Sequence, residues 1–394
     1  MAKNSHYKKT IKTDIIVVGG GLAGTAAAIC IAQLGIKIIH LAPTAIKDRR
    51  TSALMGPSID ILTSSGLVPA PDKIGVEMNK IRIIDATNRL IRSPEALFDS
   101  REAGLSNFGY NFANEKLLKA FDEKAQNIDS YQRIVASFSG VESNDNGITI
   151  KTDDGKTINC QMLVGADGKK SSVRSNAGID IKEKKHEQSA LICDLELGHE
   201  LDGASVEYHY NNGPFTLVPA GGKKANLVWM DRHEVLQSAK SANKEAFIKL
   251  LEKHSMNLFG DIKLTSGVFI FPLTNLVADS VGKNGIVLVG EAAHAFPPVG
   301  AQGLNLSLRD IVDLVDVLKA SDRGQINWGK LASEAYTKKR MGDLKGTLGM
   351  VETLFKSLLA DFIPVQAVRA GGIWALKSMP FLRKKAFHIG MGER

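Results

Sequence analysis

One stretch near the start decides the fold, Asp14-Ile15-Ile16-Val17-Val18-Gly19-Gly20-Gly21-Leu22-Ala23-Gly24-Thr25. A short apolar strand leads into three glycines at GxGxxG spacing, and an Ala-rich helical segment, Ala26–Leu34, follows. This order is typical of a dinucleotide-binding turn, although a purely structural glycine turn stays the alternative. Gly19 allows the tight turn, Gly21 lets backbone approach a pyrophosphate, and Gly24 lets the helix pack on the strand. Unpaired N–H groups at the helix start favour an anion.

Bulk composition limits the possible classes of protein. At 394 residues the chain is too long for one ordinary core, which predicts two domains or one elaborated α/β unit. It is 44% apolar and 23% charged, and its net charge is +8. The basic residues are dispersed and no aromatic-studded basic stripe is found, so no nucleic-acid partner is expected. Attraction to an anionic membrane surface stays open.

Cysteines and apolar runs bear on the compartment. Cys30, Cys160 and Cys193 are widely spaced and odd in number, with no metal-ligand spacing, which favours a reduced cytoplasmic location. The uncharged stretch Ile15–Leu34 is long enough to suggest a membrane span, but its glycines fit a strand-to-helix turn. We therefore expect a soluble protein that is at most peripheral to a membrane.

The second predicted strand, Gly35–Ala42, departs from the usual fingerprint. An acidic residue near the end of this strand commonly binds a ribose hydroxyl. Ala42 occupies that position here. This weakens an NAD interpretation and leaves ribose contacts to backbone or to neighbours such as Arg49 and Arg50.

Five further segments give local predictions. We expect a helix over Thr51–Gly66, and a hairpin in which Ile81–Asp85 and Arg89–Ile91 flank Thr87-Asn88. A helix is predicted from Asn114, which serves as its N-cap, to Phe121. Alternating residues then predict an antiparallel sheet inserted into the α/β scaffold as a substrate domain. Helical periodicity dominates from Leu304 onward.

Two more glycine-flanked carboxylates follow predicted strands. Asp167 lies in Gly165–Arg174, where it is placed to hydrogen-bond a ligand hydroxyl or simply to form an Asp-Gly turn. Glu291 follows the strand Gly285–Gly290, and the chain continues through Pro298–Asn305 to a helix start. The carboxyl ends of parallel strands are where open α/β sheets bind ligands.

Together the three segments resemble the GxGxxG, DG and GD motifs of class A flavoprotein monooxygenases, the aromatic-ring hydroxylases of the para-hydroxybenzoate hydroxylase fold. Further segments resemble the ubiquinone-biosynthesis hydroxylases, closest to alphaproteobacterial members. These segments are Arg50–Leu54, Phe108–Asn111, Gly303–Asp310 and the tail from Pro380–Arg383 through Met391-Gly392. The resemblance covers nearly the whole chain.

The resemblance implies an α/β fold: a Rossmann-like FAD-binding domain, an inserted antiparallel-sheet substrate domain and a C-terminal helical segment. We expect the FAD-binding domain to comprise residues 1–70, 106–182 and 275–340. The substrate domain is expected at 71–105 and 183–274, and the helical segment at 341–394.

The resemblance also implies the site residues. It assigns no catalytic side chain and no metal, because the flavin carries the chemistry. The isoalloxazine ring is expected along Pro298, Gly300, Ala301, Gln302 and Gly303. The implied cofactor-binding residues are Gly19, Gly21, Leu22, Ala23, Gly24, Arg50, Asn114, Asp167, Gly290, Glu291, Pro298, Gly303, Leu304 and Asn305. Besides Ala42, two departures are Glu291, where Asp is commoner, and Ala301, where Gly is typical.

The implied activity is ring hydroxylation of a polyprenylated phenol in ubiquinone biosynthesis, with O₂ activated as a flavin C4a-hydroperoxide. NAD(P)H or another electron donor would reduce the FAD. Two alternatives stay open: a prenyl reductase-like enzyme of the same fold, and a non-catalytic FAD-bound scaffold of the biosynthetic complex. Expected partners are the phenol, O₂, that protein complex and the inner face of the cytoplasmic membrane, which basic residues in the C-terminal helices suggest.

Two interpretations concern individual side chains outside these motifs. His294 is interpreted as a structural histidine rather than a base. A groove for the prenyl tail is the hypothesis for Phe215, Leu217, Val218, Trp229 and Phe271, with ordinary sheet core as the alternative.

Overall fold

A computed structural model describes residues 11–44, 48–144 and 147–391, so Gly392 of the C-terminal motif lies outside the described residues. The strands, in chain order, are β1 Ile11–Lys12, β2 Ile15–Val18, β3 Ile38–Leu41, β4 Thr51–Met55, β5 Gly75–Met78, β6 Lys80–Asp85, β7 Ala96–Asp99, β8 Gly109–Ala113, β9 Tyr131–Ile134, β10 Phe138–Asn144, β11 Gly147–Thr152, β12 Thr157–Cys160, β13 Met162–Gly165, β14 Ile181–Glu196, β15 Ala204–Tyr210, β16 Gly213–Pro219, β17 Lys224–Arg232, β18 Lys263–Leu264, β19 Phe269–Ala278, β20 Gly282–Lys283, β21 Ile286–Leu288 and β22 His294–Ala295.

The helices alternate with strands in the first half and dominate the end of the chain. They are α1 Leu22–Ala32, α2 Gly56–Ser64, α3 Pro71–Ile74, α4 Asn114–Ala125, α5 Ser172–Asn176, α6 His233–Ser241, α7 Lys244–His254, α8 Gln302–Ala320, α9 Trp328–Leu359, α10 Ile363–Ser378 and α11 Pro380–Met391.

A six-stranded sheet of order β20-β21-β13-β2-β3-β9 forms the first layer, and all of its pairs except β20–β21 are parallel. Its central strands β2, β3 and β13 are buried along their whole length, as parallel strands covered on both faces must be. Helices α1 and α8 pack against each other beside this sheet. Because β2, β13 and β21 are neighbours, the segments that follow them leave from the same edge.

A larger sheet follows the order β22-β19-β14-β17-β16-β15-β6-β7 and is mainly antiparallel. One of its faces is covered by α6 and α7 and buries Phe215, Leu217 and Trp229 completely. The groove hypothesis is wrong for these three residues, because helices occupy the space beside them. Val218 and Phe271 lie on the opposite face, since neighbouring residues of a strand alternate between faces.

Thr51–Met55 is the strand β4 and not the start of a helix. It pairs with β8, which also pairs with β5 to form a three-stranded sheet, and this pairing buries Leu54. Helix α2 begins only at Gly56, with a proline in its first turn. A fourth sheet has the order β1-β12-β11-β10.

The predicted hairpin around Thr87-Asn88 is also wrong. Strand β6 pairs with β7, and Arg89–Ile91 is not a strand. The Arg89 side chain is buried, where its guanidinium pairs with Asp361 at 2.8 Å and donates to the Leu358 carbonyl at 2.9 Å. The segment therefore joins the sheet to the end of α9.

Helix α9 spans 32 residues and leads into α10 and α11. Phe355 and Leu358, near its end, pack with Met230 and Ala190 on the face of the large sheet that α6 and α7 do not cover. This face also carries Val218 and Phe271, and we call it the open face. Among the described residues, none of the helices combines the length and the apolar content that crossing a bilayer requires.

Candidate functional site

The β2–α1 turn has the geometry that its glycines predict. Gly19 has φ of +128°, and a Cβ there would lie 2.1 Å from the Ala166 carbonyl oxygen. A Cβ on Gly24 would lie 2.1 Å from the Gly19 oxygen, whereas one on Gly21 would meet no protein atom within 4 Å in the described chain. Gly19 and Gly24 are thus required by packing, and Gly21 leaves space beside the helix start. In this part of the structure, α1 begins without a capping side chain and without an acidic residue in its first turn.

His40 supports this turn from the neighbouring strand. Its Nε2 lies 2.8 Å from the Gly19 carbonyl oxygen, and its Nδ1 lies 2.7 Å from the Tyr131 hydroxyl. Burial lowers the pKa of His40 to about 4, although the Gly19 bond opposes that shift. The ring is therefore neutral near pH 7: Nε2–H donates to Gly19, and Nδ1 accepts from Tyr131. Sequence reasoning missed this contact, and its signal was a lone histidine in an apolar strand.

Asp48, another residue that sequence reasoning missed, joins Arg50 to Asn114. Arg50 donates from Nε and Nη2 to both Asp48 carboxylate oxygens at 2.9 Å, and Asn114 Nδ2 donates to one of them at 2.9 Å. Ser52 Oγ donates to Asn114 Oδ1 at 2.7 Å. Burial acts to raise the pKa of Asp48, but the hydrogen bonds from Arg50 and Asn114 outweigh it, and the pKa is lowered.

Asn114 does not cap α4, because the helix already includes it and Ala113 is the N-cap residue. Its amide holds the Asp48 segment instead. The hydrogen bond to Asp48 raises the pKa of Arg50, and the charge of Glu291 adds to that effect. Arg50 therefore lies near the third motif.

The Asp167 carboxylate accepts three hydrogen bonds from the segment that follows it. The donors are the Ser171 hydroxyl at 2.5 Å, the Ser172 N–H at 2.7 Å and the Val173 N–H at 3.1 Å. Asp167 thus fixes the start of the short helix α5. Any ligand contact of this motif must use the remaining lone pairs or the backbone beside Gly168, whose φ is +82°.

Gly290, the residue before Glu291, is held by a buried ionic network. The Gly290 N–H donates to Asp310 Oδ2 at 2.8 Å, and His294 Nε2 lies 2.7 Å from the same oxygen. Arg340 Nε donates to Asp310 Oδ1 at 2.5 Å, and the Arg340 and Asp310 side chains are fully buried. Burial acts to raise the pKa of Asp310, but the charges of His294 and Arg340 outweigh it and the pKa is lowered.

This geometry agrees with the structural interpretation of His294. Its ring is buried, and its Nε2 lies 2.7 Å from Asp310 Oδ2. The network instead ties the loop after β21 to α8 and α9. Glu291 itself is exposed at the sheet edge.

The predicted ring-lining loop leads into α8. Ala301 adopts φ of 54° and ψ of 33°, the left-handed conformation that favours glycine, directly after Gly300 at φ of +64°. Within the described structure α8 starts with no side-chain cap and no acidic residue in its first turn. Gln302 is buried and donates to the Gly300 carbonyl at 3.1 Å, while Pro298 is exposed.

Asn305 uses its side chain within the protein. Its Oδ1 accepts from the Met55 N–H at 3.0 Å, and its Nδ2 donates to the Ala53 carbonyl at 2.9 Å. These bonds fasten the first turn of α8 to the end of β4. Gly303 and Leu304 lie in the same turn of the helix.

The three motifs meet at one edge of the parallel sheet. The first motif contacts the second where Gly19 packs against Ala166. It contacts the third where Ala23 packs against Gly290, because a Cβ added to Gly290 would lie only 2.9 Å from the Ala23 Cβ. Leu22 begins α1 beside them. Two helices therefore start uncapped around one edge in the described chain, which suits a long cofactor with anionic and polar ends.

Residues 12–342 match the family described as FAD binding domain. The chain belongs to this FAD binding domain family. It is 28% identical over 391 residues to ubiquinone hydroxylase UbiL of Rhodospirillum rubrum, covering 96% of this chain and 89% of that protein. It is 25% identical to the 3-demethoxyubiquinol 3-hydroxylase of Escherichia coli K12, covering 96% and 98%.

The fold agrees with family membership. The crystal structure of p-nitrophenol 4-monooxygenase PnpA from Pseudomonas putida DLL-E4 aligns with a TM-score of 0.78 at 16% identity, covering 98% of this chain and 100% of that one. Membership of the FAD binding domain family makes FAD the cofactor. The residues present fit it, because the space left by Gly21 and the uncapped start of α1 suit a pyrophosphate.

Proposed function

We propose that this chain is an FAD-dependent monooxygenase that hydroxylates the aromatic ring of a polyprenylated phenol in ubiquinone biosynthesis. The observation that carries the proposal is the packing of Val299, in the loop before α8, against the open face of the large sheet. The cofactor edge and a sheet face thereby adjoin. The activities named for the two ubiquinone hydroxylase relatives support the choice of substrate class.

In this proposal the cofactor lies along the edge where the three motifs meet. Gly21, Leu22 and Ala23 would meet the pyrophosphate at the start of α1, and Arg50 would lie beside it. Asn114 would act mainly by holding Asp48 and Arg50 in place. Asp167 and Glu291 would meet hydroxyl groups of the ribose or ribityl chain.

The start of α8 would receive the flavin ring. The backbone N–H groups of Gln302, Gly303 and Leu304 would face its polar edge, with Pro298, Gly300 and Ala301 along its side. Asn305 would hold this turn against β4 through its bonds to Met55 and Ala53. When bound and reduced by NAD(P)H, FAD would activate O₂, placing one oxygen atom on the ring as a hydroxyl and releasing the other as water.

The open sheet face would orient the phenol and exclude water. Ala190, Met230 and Leu273 are buried there against Val299, and Val218 and Val228 share the face. Apolar walls keep water from the reacting atoms and hold an aromatic ring by contact area. A polyprenyl tail would follow the same apolar surface.

The proposal also includes the electron donor, a protein complex, the membrane and the domain boundaries. NAD(P)H or an electron-transfer protein would supply electrons, and the chain would act with a ubiquinone-biosynthesis protein complex. It would reach its substrate from the inner face of the cytoplasmic membrane. The residues 1–70, 106–182 and 275–340 would form the FAD-binding domain, and 71–105 and 183–274 the substrate domain, with 341–394 as the helical segment.

The test begins with the absorption spectrum of the purified protein and with O₂ uptake in the presence of NAD(P)H. We expect bound FAD and an O₂ uptake that rises on addition of a prenylated phenol. Flavin reduction without O₂ consumption would instead favour a reductase, and a colourless protein would contradict both enzymes. Complementation of bacteria lacking each ring hydroxylase in turn, with identification of the accumulated intermediate, would then assign the ring carbon.

A further inference from the structure

The outward stripe of α10 is apolar and exposed. Residues spaced three or four apart share one side of a helix. On the outer side of α10 these positions hold no charged residue; they are Pro364, Ala367, Val368, Gly371, Trp374 and Ser378, all exposed. Val368 is 76% exposed and Trp374 is 55% exposed. Contiguous exposed apolar surface of this kind marks a binding surface for a protein or a membrane.

The opposite side of α10 holds it in place. Ile373 and Leu376 pack against a small core that contains Phe98 and Phe108. Arg369 Nη1 donates to the Ser357 carbonyl at 3.0 Å. The inner side of α10 is thus the side that packs on the protein core. The exposed outer stripe is therefore not a core-facing side that has been left uncovered.

Basic residues lie on α10 itself and on α11, which packs against it. The sequence from Phe362 to Gly392 contains five Lys or Arg residues and no Asp or Glu (Arg369, Lys377, Arg383, Lys384 and Lys385). Lys384 and Lys385 are exposed on α11, one turn after Phe381, which is 69% exposed. Phe362, at the start of α10, is 70% exposed. Exposed aromatic residues beside lysines are typical of helices that lie in a membrane interface.

We propose that this surface, defined as the outer stripe of α10 together with Phe381, Lys384 and Lys385, docks the protein on an anionic lipid bilayer. Charge decides against a second copy of this chain. A two-fold dimer contact would place this surface against its own copy and bring the positive charges of the two copies close together. An anionic bilayer matches both the apolar stripe and the lysines.

The position of the surface links it to the substrate route. Helix α10 follows the end of α9, where Phe355 and Leu358 pack beside Met230 on the open sheet face. A lipid tail leaving the bilayer at α10 would therefore meet the face that the proposed function assigns to the phenol. Only this link rests on the proposed function; membrane docking itself does not.

The experiment measures co-sedimentation of the full-length FAD-loaded protein with vesicles. We expect binding to vesicles of 30% phosphatidylglycerol in phosphatidylethanolamine, and little binding to phosphatidylcholine alone. The double variant Val368→Ser/Trp374→Ser and the double variant Lys384→Gln/Lys385→Gln should each reduce binding at least tenfold. Ile326→Ser is the matched control. Ile326 is 76% exposed but lies before the start of α9, whereas the docking surface follows the end of that helix, which is about 48 Å long.

Activity on two substrates separates the docking surface from the proposed function. The Val368→Ser/Trp374→Ser variant should lose at least tenfold in turnover of a long-tailed phenol in vesicles and keep its turnover of a short-chain soluble phenol. Absence of turnover with both substrates, with vesicle binding intact, would contradict the proposed function and leave the docking surface standing. Wild-type binding by both double variants, or a dimer that these variants abolish, would overturn the docking proposal.

Discussion

His40 Nε2 lies 2.8 Å from the carbonyl oxygen of Gly19. A buried side chain of β3 therefore holds the first glycine of the GxGxxG turn, which follows the neighbouring strand β2. The Gly19 N–H also donates to the Leu41 carbonyl at 3.0 Å. The backbone N–H and C=O of Gly19 are therefore both held by residues of β3. The turn is held in shape by its neighbouring strand as well as by its glycines.

Replacing His40 by leucine should weaken both the fold and cofactor binding. The change leaves the buried Gly19 carbonyl and the partly buried Tyr131 hydroxyl without their partner, which costs about 1–3 kcal/mol of unfolding free energy. We also expect the dissociation constant of FAD to rise about tenfold, equivalent to about 1.4 kcal/mol. Denaturant unfolding and flavin fluorescence titration of the apoprotein check the two effects. Tyr131→Phe, which leaves the Gly19 bond intact, should affect FAD affinity much less.

The same histidine predicts a pH dependence of stability. Its pKa is about 4 in the folded chain and 6.5 as the ordinary value, mainly because of burial, and nearby Arg133 also lowers it. Between these values the unfolded chain binds a proton that the folded chain does not. Stability should therefore fall from pH 6.5 toward pH 4 by up to about 1.4 kcal/mol per pH unit from this group. The slope should be smaller in His40→Leu, and equal slopes would contradict the assignment.

Two glycines of the fingerprint should respond differently to alanine. A Cβ on Gly24 would lie 2.1 Å from the Gly19 oxygen, so Gly24→Ala should destabilise the apoprotein by about 3 kcal/mol or more. Gly21 has an ordinary extended backbone with φ of −79°, and its Cβ would meet no described protein atom within 4 Å. Gly21→Ala should leave apoprotein stability within about 0.5 kcal/mol.

The informative readout for Gly21→Ala is the cofactor. If the pyrophosphate approaches here, the added methyl group should raise the FAD dissociation constant at least tenfold. Melting temperature without FAD and flavin titration separate the two effects. Normal FAD affinity in Gly21→Ala would place the pyrophosphate elsewhere.

The sequence predicted those features that depend on local pattern. The β2–α1 turn, the parallel strands β3 and β21 and the helix α8 follow from apolar runs and glycine spacing. Thr51–Met55 was different, because its strand conformation comes from pairing with Gly109–Ala113 far along the chain. Phe215, Leu217 and Trp229 share one face of β16 and β17, but alternation along a strand does not reveal which face α6 and α7 cover.

Contacts between distant residues were also beyond the sequence. Arg89 lies in a segment with strand-like composition, but its buried guanidinium bonds to Asp361 and to the Leu358 carbonyl, which are far along the chain. Asp48 and His40 act through partners on other elements, Asn114 and Gly19. Motifs therefore indicated where the site lies, while the residues that hold it depend on tertiary packing.

Arg340 and its neighbour Lys339 offer a matched test of the ionic network beneath Gly290. Arg340→Leu leaves Asp310 buried with one partner fewer and should cost about 3–5 kcal/mol. Lys339 is partly exposed and pairs with Asp316 at 2.7 Å and with buried Asp313 at 3.5 Å, and Asp313 keeps Arg340 as a partner in Lys339→Leu. That variant should therefore cost only about 1 kcal/mol. Thermal unfolding of both variants measures the difference. Similar melting temperatures would mean that Asp310 is not held by its charge partners.

Ala301 provides the last prediction, because its backbone occupies a conformation that side chains disfavour. Its φ of 54° and ψ of 33° cost an alanine about 1–2 kcal/mol relative to the right-handed helix. Ala301→Gly removes that cost but adds chain entropy in the unfolded state, so a net gain of about 0.5 kcal/mol is expected. Ala120→Gly, inside α4, should instead lose about 0.5–1 kcal/mol. Equal losses in both variants, measured by denaturant unfolding, would show that the loop before α8 is unstrained at Ala301.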